Sequence, residues 1–200
     1  MWALVESGSV SKVYTRPKSL TIGDVQYPRN IFNLWTSSEL EAIGIYEIVI
    51  DNTNLKNPEY YINTDQSFAF ADSTVTASYG TATARPIADT LYTAQNETDG
   101  LGTEGEVAFR GLKYNYKAVI NSQAGGLLQN TDWMVVRAAE GGTAVPSAIT
   151  TWRAAVRTKA NAMQVQIDNA ADVDALAALY IYNDATPPVR PLGEFPVLGA

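Results

Sequence analysis

The sequence predicts an α+β protein, with a small strand-rich N-terminal domain followed by an all-helical C-terminal bundle or hairpin. Short runs of β-branched and aromatic residues, separated by glycine, serine and aspartate, dominate the N-terminal part. In the C-terminal part, apolar residues recur every three or four positions, which is the helical period. A polar stretch with few large apolar side chains lies between them. We therefore predict a domain at 1–85, a linker at 86–103, a helical module at 104–186 and an extended tail at 187–200.

Turn residues define the strands of the N-terminal domain. Ser7-Gly8-Ser9 separates the first two strands, Gly23-Asp24 the next two and Asp72-Ser73 the last two, so each of these turns predicts a hairpin. A further strand covers Tyr46-Glu47-Ile48-Val49-Ile50. The predicted strands lie at 2–6, 12–14, 20–22, 25–27, 46–50, 67–71 and 74–83.

One short helix is expected among these strands. Thr36-Ser37-Ser38-Glu39 matches a capping box, in which the threonine oxygen accepts from a free amide and the glutamate reaches back to the cap. Gly44 closes this helix, because glycine tolerates the left-handed conformation of a helix end. Residues 30–35, just before the box, form an apolar turn or a second short helix.

Two helices are expected at the start of the helical module. Thr103-Glu104-Gly105-Glu106 matches another capping box, and Gly125-Gly126 predicts the fraying end of the helix that it opens. Apolar residues at helical spacing follow the box: Phe109, Leu112, Tyr116, Val119 and Ile120. Asn130 or Thr131 caps the next helix, and Gly141-Gly142 ends it.

A long amphipathic helix follows and has the clearest periodicity in the chain. Pro146 suits its first turn, where the amide that proline lacks is not needed. One face of this helix is apolar: Ile149, Trp152, Val156, Ala160, Met163 and Ile167. Asp172 caps a last helix, which stops before Pro187-Pro188.

Composition excludes several kinds of chemistry. The 200 residues include no cysteine and no histidine, which excludes disulfides, thiol nucleophiles, the usual zinc sites and Ser-His-Asp triads. A net charge of -7 argues against nucleic acid and anionic membrane surfaces as partners. No run approaches the roughly 18 apolar residues of a membrane span, and the N-terminus lacks the pattern of a signal peptide. We expect synthesis in the cytoplasm.

No motif predicts an enzyme, a cofactor or a metal site. Gly100-Leu101-Gly102-Thr103-Glu104-Gly105 matches the dinucleotide-binding fingerprint in letters, but it follows a polar stretch and Glu104 would repel phosphates. Asp172 and Asp174 lack the spacing of a calcium loop. The 21 carboxylates always permit some acid pair, so a glycoside hydrolase remains an alternative that no motif favours.

Arg153, Arg157 and Lys159 are the candidate interface cations. The two arginines lie one turn apart on the polar face of the long helix, and Lys159 is close by. They form either a solvated face with local ion pairs or a docking stripe for an acidic partner.

Large aromatic residues divide into candidate interface and candidate core residues. Trp2 and Tyr60 are candidates for an interface, where tryptophan and tyrosine are enriched, although core packing is the usual role of either type. Trp133 and Trp152 are predicted to anchor the core, one from each of two consecutive helices.

The C-terminal part resembles a module of tailed-bacteriophage proteins. The residues that carry the resemblance are Thr131-Asp132-Trp133-Met134-Val135-Val136-Arg137, Gly142-Thr143-Ala144-Val145-Pro146 and Arg153-Ala154-Ala155-Val156-Arg157. The family is described as tail fibre assembly or tail-fibre-associated proteins. Residues 18–32 and 40–45 look like the domain often found upstream in marine phage versions, so the resemblance covers most of the chain.

This resemblance implies a structural role. The expected function is that of a structural virion component in the tail or tail-fibre attachment region, made in the host cytoplasm and acting through protein–protein contacts. Expected partners are other phage tail or fibre proteins and further copies of the chain. The family also includes non-virion fibre-assembly chaperones, and a capsid-associated minor structural protein is a further alternative.

Overall fold

The computed structural model describes residues 1–199, which form an α+β protein as the sequence predicts. The chain divides into two compact units. The strand-rich unit covers Met1–Thr83 and the helical unit covers Ala84–Ala200. Ala200, the last residue of the predicted tail, lies outside the described residues.

Strands and two short helices make up the strand-rich unit, with the last strand at the unit boundary. The strands are β1 (Trp2–Glu6), β2 (Ser9–Tyr14), β3 (Leu20–Ile22), β4 (Val25–Tyr27), β5 (Ile45–Asp51), β6 (Tyr61–Ile62), β7 (Gln66–Ala71), β8 (Thr74–Tyr79) and β9 (Thr83–Ala84). The helices are α1 (Ile31–Leu34) and α2 (Ser37–Glu41). All three predicted hairpins are present.

A five-stranded sheet in the order β2-β1-β5-β8-β7 organises this unit. The first half of β5 pairs antiparallel with β1, and its second half pairs parallel with β8. The outer strands β2 and β7 contact each other, so the sheet curls around its inner face. Ala3, Ile48, Val75 and Ala77 are buried there, with Phe68 and other partly buried side chains packed against them.

The opposite face of the sheet holds a second apolar cluster. Successive residues of a strand point to opposite faces, so Leu4 and Ile45 face this cluster while their neighbours Ala3 and Tyr46 face the other. Its buried members are Leu4, Tyr14, Leu20, Ile31, Phe32, Leu40 and Ile45.

The predicted capping box of α2 is confirmed. The Thr36 hydroxyl accepts from the Glu39 amide, and the Glu39 carboxylate accepts from the Thr36 amide at 2.7 Å. Gly44 follows with a φ of 81°, in the left-handed region. A Cβ at this position would lie 2.9 Å from the Val5 carbonyl oxygen, so both its conformation and its surroundings require glycine.

The helical unit contains four helices and one small ladder among its described residues, apart from Ala84 of β9. In chain order these are β10 (Thr90–Leu91), α3 (Ala94–Thr98), β11 (Val107–Phe109), α4 (Leu112–Ala139), α5 (Ser147–Asn169) and α6 (Val173–Ala178). α4 and α5 form the main helix pair. The fully or nearly fully buried core is Ile120, Ala124, Val156, Ala160, Met163, Ile167, Ala170, Leu176 and Leu192.

The predicted linker at 86–103 is wrong, because this segment carries α3 and β10 and also caps α4. The first amides of α4 need acceptors from outside the helix. Leu112 donates to the Pro86 carbonyl at 3.0 Å, and Lys113 donates to the Ile87 carbonyl at 3.0 Å. Asp89 accepts from the amide of Gly111 at 2.8 Å. The capping box predicted at Thr103 is also wrong, since that segment turns into β11.

The predicted break at Gly125-Gly126 is wrong as well, because α4 runs without interruption for 28 residues. A helix interior loses roughly 1 kcal/mol per glycine relative to alanine. Packing of Ile120, Ala124 and Leu128 into the helical core offsets that loss. Thr131 is a buried residue inside α4, so it is not a cap. The predicted end at Gly141-Gly142 is confirmed.

The two following helices agree with the sequence. α5 begins directly after Pro146 and buries Val156, Ala160, Met163 and Ile167 on one face. α6 is capped by Asp172, whose carboxylate accepts from the Ala175 amide at 2.8 Å.

The predicted extended tail is only partly correct. Residues 187–199 contain no helix or strand, but they fold back onto the helical unit. Leu192 is fully buried in the core, and Phe195 packs against the same core. The Lys159 ammonium donates to the Leu192 carbonyl at 2.8 Å, and the Trp152 indole donates to the Pro196 carbonyl at 2.9 Å.

Candidate functional site

The outer face of α4 is an exposed apolar surface, which we define by Val119, Trp133 and Val136. At 100° per residue these side chains share one side of the helix with Gly125 and Gly126, opposite the side that packs on α5. Val119 is 49% exposed, Trp133 54% and Val136 55%. Exposed aliphatic and aromatic side chains on one helix face are a candidate interaction surface, and here the polar residues Ser122 and Gln129 lie on the same side between Val119 and Trp133.

The two glycines lie in the middle of this face. A Cβ built at Gly125 or Gly126 would meet nothing within 4 Å, so no packing inside the described chain requires glycine there. Both residues also keep ordinary helical backbone conformations, since neither has a positive φ. The outer face therefore offers a bare stretch of backbone to whatever approaches it.

The prediction that Trp133 is a core anchor is wrong. Its ring is more than half exposed, and the Arg137 guanidinium stacks over it with its central carbon 4.9 Å from the ring centroid. The continuity of α4, which sets the direction of each side chain around the helix, explains this error. Because the helix does not break at the glycines, Thr131 faces α5 and Trp133, two positions later, faces outward.

Arg153 lies between the two long helices. Its guanidinium donates to the Leu128 carbonyl at 2.8 Å, to the Thr131 hydroxyl at 2.5 Å and to the Asp132 carboxylate at 2.7 Å. The side chain is only 12% exposed. The sequence left two interpretations open for this arginine, a local ion pair or a docking residue for an acidic partner. The local ion pair describes Arg153, because its donors are directed at α4 and away from solvent.

Arg157, one turn further along α5, is exposed. Among the described residues, it has neither a carboxylate partner nor a side-chain hydrogen bond. Together with Val135, Val145, Thr150 and Arg153 it lines a cavity of about 270 Å³, which we call the arginine cleft. The cleft thus combines one free guanidinium with aliphatic walls.

The other predicted site residues have structural positions. Lys159 is partly buried and bound to the Leu192 carbonyl. Trp2 packs on Phe32 with ring centroids 4.7 Å apart, and Tyr60 is 7% exposed, so neither presents an open aromatic surface. Trp152, predicted as a core anchor, is partly buried and does pack against the helical core.

Two further cavities lie beside the tail of the helical unit. One, of about 510 Å³, is lined by the segment after α6, including Tyr182 and Arg190. Tyr182 donates to the Glu194 carboxylate at 2.6 Å, which raises the pKa of that phenol. The other, of about 350 Å³, lies between α4, Trp152 and Phe195. Among the described residues that line these two cavities and the arginine cleft, none is an aspartate or glutamate.

Candidate cofactor and metal motifs have structural explanations. The glycine motif at 100–105 falls in the turn between α3 and β11, so no strand leads into it and no helix begins there. Asp172 caps α6, and within residues 1–199 no group of three or more carboxylates lies close enough to hold a metal ion. In that same range, no helix has the length and apolar character needed to cross a bilayer.

Sequence reasoning missed most of both surfaces. Val135, Val136 and Val145 lie in the segments that carry the family resemblance, but that resemblance did not mark them as surface residues, and Gly125-Gly126 was interpreted as a helix end. One signal was available: no charged residue occurs from Ala118 to Thr131, so this part of α4 has no charged face to direct towards water.

Comparisons with known proteins do not extend this description. No protein-family model, no curated protein and no solved structure matches the chain.

Proposed function

We propose that the protein is a structural component of a bacteriophage virion, in the tail or tail-fibre attachment region, and that it acts through protein–protein contacts. Its partners are other tail or fibre proteins and further copies of itself. The structural part of this proposal depends on one observation, the apolar outer face of α4. The phage assignment depends on the sequence resemblance.

The two-sided helix supports a role in assembly. A helix that only closes the core of a soluble domain has one apolar face and one polar face. α4 buries Ile120 and Ala124 on one side and exposes Val119 and Trp133 on the other. The second face gains free energy when a partner removes it from water, at about 25 cal/mol for each Å² of apolar surface.

The residues that carry the resemblance meet in the structure. Thr131 and Asp132, from the first matching segment, both bind Arg153 from the third. Trp133 and Val136, from the same first segment, lie on the outer face. This arrangement supports a module that fixes the α4–α5 pair while presenting apolar side chains to a partner.

Mass spectrometry of purified particles tests the virion role. We expect peptides of this protein at stoichiometric levels in particles of the phage that encodes it. Their absence would contradict the proposal. If they are absent and fibre protein becomes soluble only when co-expressed with this chain, the chaperone alternative replaces it.

Substitution of Trp133 tests the role of the outer face. Trp133→Ser should leave the free energy of unfolding within about 0.5 kcal/mol of the wild type, because the ring is exposed, yet reduce incorporation into particles. Leu91→Ser is a matched control, since Leu91 is 49% exposed in the same unit but lies outside α4. Equal incorporation of both variants would exclude the outer face as the contact.

A further inference from the structure

We infer that the arginine cleft receives an acidic side chain from a partner protein, with an aliphatic residue of the same partner segment packed beside it. Arg157 binds the carboxylate, and Val135 and Val145 contact the aliphatic residue. The inference rests on the proposed role in protein–protein contact and adds the chemistry of the partner.

Local charge is the first reason. The protein as a whole is acidic, with a net charge of -7. Between Glu140 and Asp168, however, the chain carries Arg153, Arg157 and Lys159 and no acidic residue. Of these three cations, only Arg153 has a carboxylate partner within residues 1–199, and Lys159 binds a neutral carbonyl. With Arg153 paired to Asp132 and Lys159 bound to the Leu192 carbonyl, the positive charge of Arg157 is left to complement an acidic group of a partner.

The different states of the two arginines give the second reason. Arg153 is held by three acceptors, so its position on the wall of the cleft is fixed. In the part of the chain that the structure describes, Arg157 has no such acceptor, so its guanidinium is available to a ligand. A planar guanidinium binds a carboxylate through two parallel hydrogen bonds, which gives geometric selectivity as well as attraction.

The walls of the cleft define the rest of the ligand. Val135 is 41% exposed and Val145 is half-buried, so the space beside Arg157 is lined by aliphatic carbon. The Thr150 hydroxyl already donates to the Pro146 carbonyl. At about 270 Å³, the cleft suits a short piece of polypeptide with one carboxylate and one aliphatic side chain.

Three synthetic peptides test this chemistry by titration into the full-length protein, followed by NMR. They share a glycine–serine sequence with two central leucines and differ only in the residue between them, which is glutamate, glutamine or lysine. We expect the glutamate peptide to shift the resonances of Val135, Val145 and Arg157, and to bind about fivefold more tightly than the glutamine peptide, which is the upper range for a partly exposed ion pair. Equal binding of the two would overturn the inference.

Charge reversal provides the second measurement. Arg157→Glu should lose the preference for the glutamate peptide and prefer the lysine peptide, whereas Arg157→Lys should keep the sign of the wild-type preference. Arg29→Gln, which removes an exposed arginine of the strand-rich unit, should leave the preference unchanged. Circular dichroism shows whether each variant is folded. If only Arg157→Glu is unfolded, the peptide preferences of the wild type and of Arg157→Lys still test the inference.

Other occupants give different results. Shifts at the same residues when the protein alone is concentrated would identify a second copy as the occupant. Tighter binding of a single-stranded oligonucleotide than of the glutamate peptide would identify a phosphate ligand. Either result overturns the assignment. The peptide titration does not use phage particles, so a negative titration does not test the virion role. In the same way, absence of the protein from virions does not change the result of the peptide titration.

Discussion

α4 and α5 pack against each other, yet they differ in how they use their surfaces. α5 has one apolar face, which is buried, and exposes mostly polar residues elsewhere. α4 has apolar residues on both sides, and one side remains exposed. The sequence of α5 therefore fits a helix that buries one side within its own unit, whereas that of α4 leaves apolar side chains exposed on a second side.

This difference separates the stability of the helical unit from its interactions. Residues on the shared interface should control unfolding, and residues on the outer face of α4 should control binding. Four sets of substitutions test this separation, in order of decreasing expected effect.

Loss of a core side chain on α5 should have the largest effect. Met163 is fully buried, and truncation of a buried methionine to alanine costs about 2–5 kcal/mol. We expect Met163→Ala to lower the free energy of unfolding by about 3 kcal/mol. Val165→Ala on the same helix, where the side chain is 57% exposed, should change it by less than about 0.5 kcal/mol. Urea unfolding followed by circular dichroism measures both, and equal effects would contradict the burial pattern.

The second largest effect should be the difference in stability between substitutions of Arg153 and of Arg157. Arg153→Met removes the bonds to Leu128, Thr131 and Asp132, and hydrogen bonds from a charged group contribute about 1.5–3 kcal/mol. A loss of about 2 kcal/mol is therefore expected. Arg157→Met should be nearly neutral, since Arg157 makes no such bonds within the described residues. The same unfolding measurement compares them, and a larger loss for Arg157 would reverse their assigned roles.

The glycines of α4 should give an effect of opposite sign. Because a Cβ at Gly125 or Gly126 meets open space, alanine at either position should stabilise the isolated protein by about 1 kcal/mol. The same substitutions should weaken incorporation into particles if a partner approaches the bare backbone. Gly111→Ala should instead destabilise, since its Cβ would collide with the backbone of Ala88. A destabilising Gly125→Ala would show that something in the chain already covers this position.

A pH dependence at the start of α4 should be the smallest effect. Bonds from the Gly111 amide and then the Arg110 guanidinium lower the pKa of Asp89. The stabilisation is fully present above the ordinary aspartate pKa of about 3.9 and is lost as the pH falls through the lower pKa of the folded protein. The difference in unfolding free energy between wild type and Asp89→Asn should therefore shrink on acidification. Urea unfolding of both proteins at a series of pH values measures this difference, and a difference that stays constant with pH would contradict the assigned role of Asp89.

The sequence predicted those features that depend on interactions between residues close together in the chain. The α2 cap and the three hairpin turns depend on residues a few positions apart. The apolar face of α5 depends on a regular period within one helix. Such local patterns can be read directly, and the structure confirms them.

The errors arose where distant residues override a local signal. Gly125-Gly126 and Thr131 look like a helix end and a new cap, but packing against α5 and the bonds to Arg153 keep α4 continuous. Residues 86–103 look like a linker, but the Pro86 and Ile87 carbonyls and the Asp89 carboxylate accept from amides at the start of α4, which lie 22 to 26 positions later. The exposure of Trp133 follows from the same continuity, so one wrong helix boundary produced one wrong site assignment.

The position of Leu192 has a consequence for the order of folding during synthesis. The strand-rich unit is complete once Thr83 has left the ribosome, and domains generally fold as they emerge. The helical core needs Leu192, which emerges long after α4 and α5. The α4–α5 pair can therefore form before the core that it belongs to is complete, and the helical unit is finished only when the segment after α6 has been made.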